Sequence, residues 1–379
     1  MAKKTRQKHY YDYSLVFAVI FLTSFGLLMI YSSSSYMAQI DPKTADAAYY
    51  LKRQGMIAMA GFVLMIIVSK VDFHGTLKWA GIMYAMSYVL MILVSLIGRE
   101  VNGKKRWLGV GPLSFQPTEF AKLALILFLT VFIVNMGKKI NTIQGLLIAF
   151  AVDIPIAGLV AKNNLSSGII VGSLVFVMTF VVSRLYWFHL LLGGMAAGAV
   201  AGAVPLAHFL LNMKILQPYQ LSRILVWQNP ADYPQDGGFQ VLQGLYAIGS
   251  GGIMGKGLGE SIQKMGFVPE AQNDMIFAII CEELGLFGAV SLILVFMFMI
   301  YRFVVIANSA PDLYGSCLVT GVMAQIAVQV ILNIAVVTNT IPNTGITLPF
   351  VSYGGTSVLF LMVEIGLVLS VAHRIKMDV

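Results

Sequence analysis

The chain has 379 residues, 58% of them hydrophobic and only 11% charged, with a formal net charge of +8. Soluble domains carry about 25% charged residues, so a soluble surface cannot be built from this composition, and the chain is neither disordered nor fibrous. Lipid cannot hydrogen-bond an open backbone, which leaves an all-α polytopic integral membrane protein as the fold class. Basic residues in such a protein mark topology and contact with anionic headgroups. No basic arm with interleaved aromatics points to nucleic acid. Cys281 and Cys317 both lie in apolar runs, which argues against a disulfide scaffold and a thiolate metal site.

In chain order, Lys3, Lys4, Arg6 and Lys8 precede an apolar run from Ser14, the pattern of a retained signal-anchor helix. A span needs about 20 mainly apolar residues. Ten stretches qualify: 14–35, 55–70, 77–97, 118–136, 143–161, 166–183, 187–210, 275–301, 313–336 and 354–372. They form one membrane domain over 1–379, with both termini on one side. The Lys and Arg totals of the two sets of loops tie, so weight falls on the first tail and the short loops, which predicts cytoplasmic termini. The one long non-spanning stretch, about 211–274, lies between the seventh and eighth spans and is expected to be an extracellular loop. Its aromatics and its turn signals at Asn229-Pro230, Tyr233-Pro234 and Asp236-Gly237-Gly238 predict an ordered cap. Its second part carries Gly249, Gly251, Gly252, Gly255, Gly257 and Gly259, but lacks the frame of a P-loop.

Ionisable residues at membrane depth are costly, by about 2.5–3.5 kcal/mol even on lenient scales. Glu119, Asp153, Glu282, Glu283 and Glu364 are the acids so placed by sequence. Glu119 and Lys122, three residues apart, share a helix face, with Pro117 suited to that helix's first turn. They read either as a neutralising ion pair or as a pair in an outward-opening cavity, with Lys122 free to meet an anion. Asp274, at the outer end of the eighth span, reads either as a helix N-cap or as a carboxylate with a raised pKa, poised as a general base. Of the deeper pair, only Glu282 falls near the helical face of Asp274. Arg99, Lys104, Lys105 and Arg106 beside Trp107 read as an interfacial anchor or as a pyrophosphate clamp. Arg223, Lys256 and Lys264 are the remaining outer basic candidates. The turn from Pro342 to Ser357, which contains Ser352, is a shaped loop before the last span.

Three ordered motifs resemble a known family. Val268–Gly285, Thr347–Ser357, and Asn102-Gly103 through Trp107 followed by Gln116–Lys122 are similar to signatures of the SEDS proteins FtsW, RodA and SpoVE. The Pro-Glu-Ala form before Asp274 and the run Leu348-Pro349-Phe350-Val351-Ser352-Tyr353-Gly354-Gly355 look closest to FtsW and SpoVE. The resemblance spans nearly the whole chain. It implies a peptidoglycan glycosyltransferase of the bacterial plasma membrane that polymerises lipid II onto a growing glycan strand. It also implies a class B penicillin-binding protein as partner, among other division or elongation proteins. Carried over, Asp274 matches the essential aspartate, and Glu119 with Lys122 a buried polar pair. Lys105, Arg106, Arg223 and Ser352 complete the candidate substrate-binding set. Two positions depart from the family pattern. Asn163-Asn164-Leu165 stands where Pro-Asp-Leu is frequent, and Gln272 stands where histidine is common.

The chemistry agrees with the residues. The leaving group is a lipid pyrophosphate, which outer basic residues can neutralise. The acceptor hydroxyl is a weak nucleophile and needs a base. No cofactor is required by the motifs; a divalent cation, Mg or Mn, on the pyrophosphate is compatible with the reaction but is not written in the sequence. The rival reading is a lipid II flippase or transporter. The outer position of Asp274 and the basic residues favours the enzyme.

Overall fold

A computed structural model describes residues 11–101, 104–109, 115–213 and 218–375. The basic N-terminal tail, Asn102-Gly103, the Lys104 side chain, Lys214 and Lys376 fall outside the described residues. Among the described residues, nine helices are long and apolar enough to cross a membrane. They are α1 (Tyr13–Ile40), α2 (Tyr49–Lys70), α3 (Leu77–Ile97), α4 (Pro117–Met136), α5 (Ile143–Asn163) and α6 (Leu165–Val182), then α11 (Ile276–Ser309), α12 (Leu313–Val337) and α13 (Gly355–His373). The expected seventh span, 187–210, is divided between α7 (Tyr186–Ala201) and α8 (Ala203–Asn212), which meet at Gly202.

Local chemistry sets the helix starts. Asp12 caps α1 by accepting from Leu15 N at 2.9 Å, Thr142 caps α5 from Gly145 N at 3.0 Å, and Asp312 caps α12 from Gly315 N at 2.7 Å. Pro117 opens α4, where its missing N–H is not needed. α12 and α13 are the most enclosed spans, and α2 and α3 the most open. Alternating traverses bring the start of α1, the α2–α3 turn, the start of α12 and the end of α13 to one face. Asp12–Arg302 (2.7 Å), Arg374–Asp72 (3.2 Å) and His74–Asp312 (2.5 Å) tie that face together.

The opposite face carries three features. A two-stranded antiparallel hairpin, β1 (Arg99–Val101) and β2 (Lys104–Trp107), follows α3. The all-α expectation omitted it, because the basic cluster reads locally as an anchor. The loop between α12 and α13 is the second feature. The third is a cap built from α9 (Pro218–Gln228), α10 (Gly238–Gly251) and the turns leading to Met275.

The glycine-rich part of the cap has a structural task. α11 is broken at Gly285, which has φ 65°. Segment 252–257 lies along the break. Lys256 N and Gly257 N donate to the carbonyls of Glu282 and Glu283, each at 3.0 Å; Leu286 N and Phe287 N donate to those of Gly252 and Ile253 at 2.9 and 3.1 Å. Cβ atoms at Gly255 or Gly285 would collide with the facing backbone. The groups freed by the break are thus satisfied by protein and not by lipid.

This packing corrects the depth expected for Glu282 and Glu283. Asp12, at the foot of α1, meets Arg302, while Ser32, roughly 30 Å further along α1, donates to Glu283 Oε1 at 2.6 Å. That rise equals a bilayer core of about 30 Å, so the two glutamates lie at the far end of the bundle and not at mid-depth.

Candidate active site

Asp274 lies in the turns that precede α11. Asn273 N donates to Glu270 O at 2.9 Å, and Glu270 has left-handed backbone, φ 54°. The N-cap position of α11 is Met275, and no side chain caps the helix. Asp274 therefore does not take the capping role its sequence context allows. Its Oδ1 is shielded and without a hydrogen-bond partner among the described residues. Burial, followed by the Glu270 carboxylate, pushes its pKa up to about 7, while Arg223 and Arg106 pull against them.

The two arginines reach this place from distant parts of the chain. Arg106 stands on β2, where its Nε donates to Asn163 O at 3.4 Å. Neighbouring strand residues point to opposite faces, and Lys105 turns away to donate its Nζ to Leu96 O, in the last turn of α3, at 2.9 Å. The pair predicted as a clamp is thus split, with Arg106 toward Asp274 and Lys105 capping a helix. Arg223 stands on α9, and its Nη1 donates to Asn343 O at 3.1 Å. Trp227 Nε1 donates to Asn339 O at 3.0 Å, and Asn339 Nδ2 returns a bond to Trp227 O at 3.2 Å. These bonds staple α9 to the α12–α13 loop. Gly345 of that loop, φ 70°, lies beside the carboxylate; a Cβ there would stand 3.5 Å from Asp274 Oδ2.

Other predicted site residues lie elsewhere. Ser352 is 2% exposed, and its Oγ accepts from Leu348 N at 2.7 Å. It closes a turn, with no surface for substrate. Lys122 Nζ lies 2.9 Å from Glu119 Oε2, with side chains 2% and 7% exposed. Of the two readings of this pair, the structure takes the ion pair, and Lys122 is not free to meet an anion. Glu364, fully buried on α13, accepts from Gln325 Nε2 at 2.8 Å in the same polar cluster. Lys256 and Lys264 are spent on structure as well. Lys256 Nζ pairs with Glu282 Oε1 at 2.6 Å. Lys264 Nζ meets Glu283 Oε1 at 2.8 Å, Ser32 Oγ at 3.0 Å and Gly259 O at 2.6 Å, using all three of its N–H groups. Glu282 faces the cap and does not share the surroundings of Asp274.

The two departures from the family pattern also have places. Asn164 caps α6 through its side chain, accepting from Ser167 N at 3.4 Å, and Asn163 Nδ2 donates to Ser95 Oγ at 2.8 Å. Gln272 contributes its backbone carbonyl, which accepts from Tyr353 N at 2.9 Å.

Sequence reasoning overlooked Asn333 on α12, whose Nδ2 donates to Asp274 O at 2.9 Å and to Ile346 O at 2.6 Å. A signal was present: Gln325, Gln329 and Asn333 recur every fourth residue along an apolar span, on one face.

Comparison with known proteins gives consistent relatives. A family model described as cell cycle protein, covering FtsW, RodA and SpoVE, matches residues 13–377. Stage V sporulation protein E of Bacillus subtilis is 37% identical over 376 residues, covering 97% of this chain and 99% of that protein. A Trichlorobacter lovleyi protein named probable peptidoglycan glycosyltransferase FtsW is 34% identical over 371 residues, covering 97% and 94%. Among solved structures, a chain of a peptidoglycan synthase complex that coordinates polymerization and crosslinking aligns with TM-score 0.78 at 30% identity, covering 97% of this chain and 99% of that one. The rod shape determining protein RodA of Thermus thermophilus aligns with TM-score 0.68 at 27% identity, covering 97% and 98%.

Proposed function

The chain belongs to the FtsW, RodA and SpoVE family, and from that premise we propose that it is a peptidoglycan glycosyltransferase that polymerises lipid II. One observation carries the reading: a shielded carboxylate, Asp274, whose Oδ1 has no hydrogen-bond partner among the described residues, under the influence of Arg106 and Arg223 on the face opposite the termini. The acceptor sugar's hydroxyl loses its proton to Asp274 as its oxygen attacks the donor's anomeric carbon. The new C–O bond forms as the anomeric C–O bond to pyrophosphate breaks, and undecaprenyl pyrophosphate leaves with the electron pair. Single displacement inverts the centre, taking an α-linked donor to a β-linked strand. Arg106 and Arg223 stabilise the charge that develops on the leaving group. A base with pKa about 7 is matched to work near neutral pH.

A divalent cation, if the reaction uses one, would supply charge neutralisation for the leaving pyrophosphate; among the described residues no three His, Cys, Asp or Glu side chains converge to hold it. The proposed setting is the bacterial plasma membrane, with both termini cytoplasmic and the site outside. The proposed partner is a class B penicillin-binding protein, a reading supported by the likeness to a peptidoglycan synthase complex. Transport is disfavoured, because Glu119 and Lys122 are closed on each other at depth and relatives carry the transferase name. The test is purified protein, with its partner, given labelled lipid II in detergent. Glycan polymer is the expected product. Movement of lipid II across liposomes without polymer would establish the transport reading instead.

A further inference from the structure

Gln325, Gln329 and Asn333 line one face of α12, and each spends its NH2 group on different residues. Gln325 Nε2 donates to Glu364 Oε2 at 2.8 Å, and Gln329 Nε2 to Thr347 O at 2.9 Å. Only Asn333 reaches the residue that carries the candidate base. It is fully buried, and its Nδ2 bonds both Asp274 O and Ile346 O. An amide NH2 has two N–H groups, so one of them falls to each segment.

The carbonyl of Asp274 is available for this bond because the helix ladder does not use it. In a regular start, Ala278 N would donate four residues back, to Asp274 O. Here Ala278 N donates to Met275 O at 3.0 Å. Asn333 supplies the donor that the ladder withholds, and a buried carbonyl without one would be costly. Ile346 belongs to the loop whose Asn343 carbonyl accepts from Arg223, and whose Gly345 lies beside the Asp274 carboxylate. One side chain thus fixes the base-bearing turn against the segment that anchors an arginine of the site.

We propose that Asn333 is a positioning residue for the transfer: it holds Asp274 by its backbone carbonyl in register with the α12–α13 loop, and so sets where the carboxylate stands relative to Arg223. The proposal rests on the reading of Asp274 as the base. The charged groups acting on that carboxylate are Glu270, Arg223 and Arg106, and Asn333 adds no charge of its own.

The test compares Asn333→Leu, close in size but without donors, with Asn333→Ser, Gln329→Leu and Asp274→Asn. Each is assayed as full-length protein with its partner, on lipid II. Displacing a catalytic group by about 1 Å can cost roughly 100-fold in rate. Asn333→Leu is expected to lower kcat on that order, with KM for lipid II changed by less than about twofold. The acid limb of its kcat–pH profile should move to lower pH, because a released carboxylate turns toward water. Gln329→Leu loses a bond to the same loop without touching Asp274, so its acid limb should stay in place. If Asn333→Leu does not fold, as judged by thermal unfolding, Asn333→Ser carries the test. Its remaining hydroxyl donor can serve one carbonyl, and the same displacement of the limb is expected with a smaller loss of rate. An unchanged kcat and pH profile in the folded variant, with Asp274→Asn inactive, would overturn the positioning role and leave the base standing. A loss confined to KM would overturn it too. Polymerisation by Asp274→Asn would remove the base, and the proposal with it.

Discussion

Asp274, Glu282 and Glu283 occur within one short stretch of chain, and the fold treats them in opposite ways. Glu282 accepts from Lys256, from Ser261 and from two backbone N–H groups; Glu283 accepts from Lys264 and Ser32. Asp274 keeps an oxygen without a hydrogen-bond partner among the described residues. A carboxylate closed by donors on every side holds segments together and cannot take up another proton-bearing group. One left open beside two arginines is costly to keep, and is available for chemistry. Glu119 differs from Asp274 in another way, since Lys122 Nζ stands 2.9 Å from its Oε2 and balances its charge. Proximity to lipid alone does not mark a reactive acid. What sets Asp274 apart is a buried oxygen without a donor among the described residues, together with the charges of Arg106 and Arg223; Asp153 in α5 shares the first feature and not the second.

The largest effect should come from Asp274→Asn. Loss of a general base costs about 10²–10⁴-fold in rate, and glycan polymer from lipid II should fall by that order. Melting temperature should change little, because Asp274 carries no cap. Substantial polymer from stably folded Asp274→Asn would erase the contrast with the paired glutamates.

Next in size are the closed pairs. Removing one partner of a buried pair costs roughly 3–5 kcal/mol. Glu283→Gln and Lys264→Met should each lower the melting temperature strongly, and the double variant should lose less than the sum. The same holds for Glu119→Gln and Lys122→Met. Strict additivity in either cycle would mean that the partners do not act as a pair.

A smaller effect sharpens the open site. As the proposed base, Asp274 would work deprotonated, so kcat should fall as pH drops through about 7. Glu270→Gln removes a like charge and should move this limb to lower pH; Arg223→Gln removes an opposite charge and should move it higher. A pH–rate profile for each variant measures the displacement. Limbs that do not move, or move the other way, would detach Asp274 from the titration.

The smallest effect belongs to the termini face. Burial lowers the pKa of His74, but its bonds to Asp312 and Asp72 outweigh that and raise it above 6.5. Its contribution to stability is therefore complete below the ordinary value, and is lost as pH rises through the raised one. The network is largely exposed, so His74→Gln should cost no more than about 1 kcal/mol. Melting curves across about pH 5–8 should show the difference at the acid end and converge toward the alkaline end.

The spans were legible because hydropathy over about 20 residues is a local property. The break at Gly285 was not. Leu284 and Leu286 flank it, so the sequence reads on as helix, and only the backbone of 252–257 makes the interruption tolerable. The hairpin was hidden for a related reason: a run of basic residues beside Trp107 has the same composition whether it anchors or pairs. Asp274 stood out by position. That Arg106 and Arg223 reach it, while Lys105 and Ser352 do not, depends on strand alternation and on the docking of α9, which span counting does not see. Asn333 was readable only as an amide in an apolar helix, and its partners come from the tertiary fold.

The break at Gly285 has a mechanical consequence. Four backbone bonds lash 282–287 to 252–257, so the nine residues from Ile276 to Leu284 are fastened to the cap on the far side of an interruption from the membrane rod below. Asp274 is carried at the free end of that fastened stub. Two of those bonds fall on the stub, at Glu282 and Glu283, and two on the rod, at Leu286 and Phe287, so segment 252–257 splints the joint and couples the cap to both pieces of the helix. The candidate base thus stands at the end of a splinted helix, coupled both to the cap and to the span that the same helix makes across the bilayer.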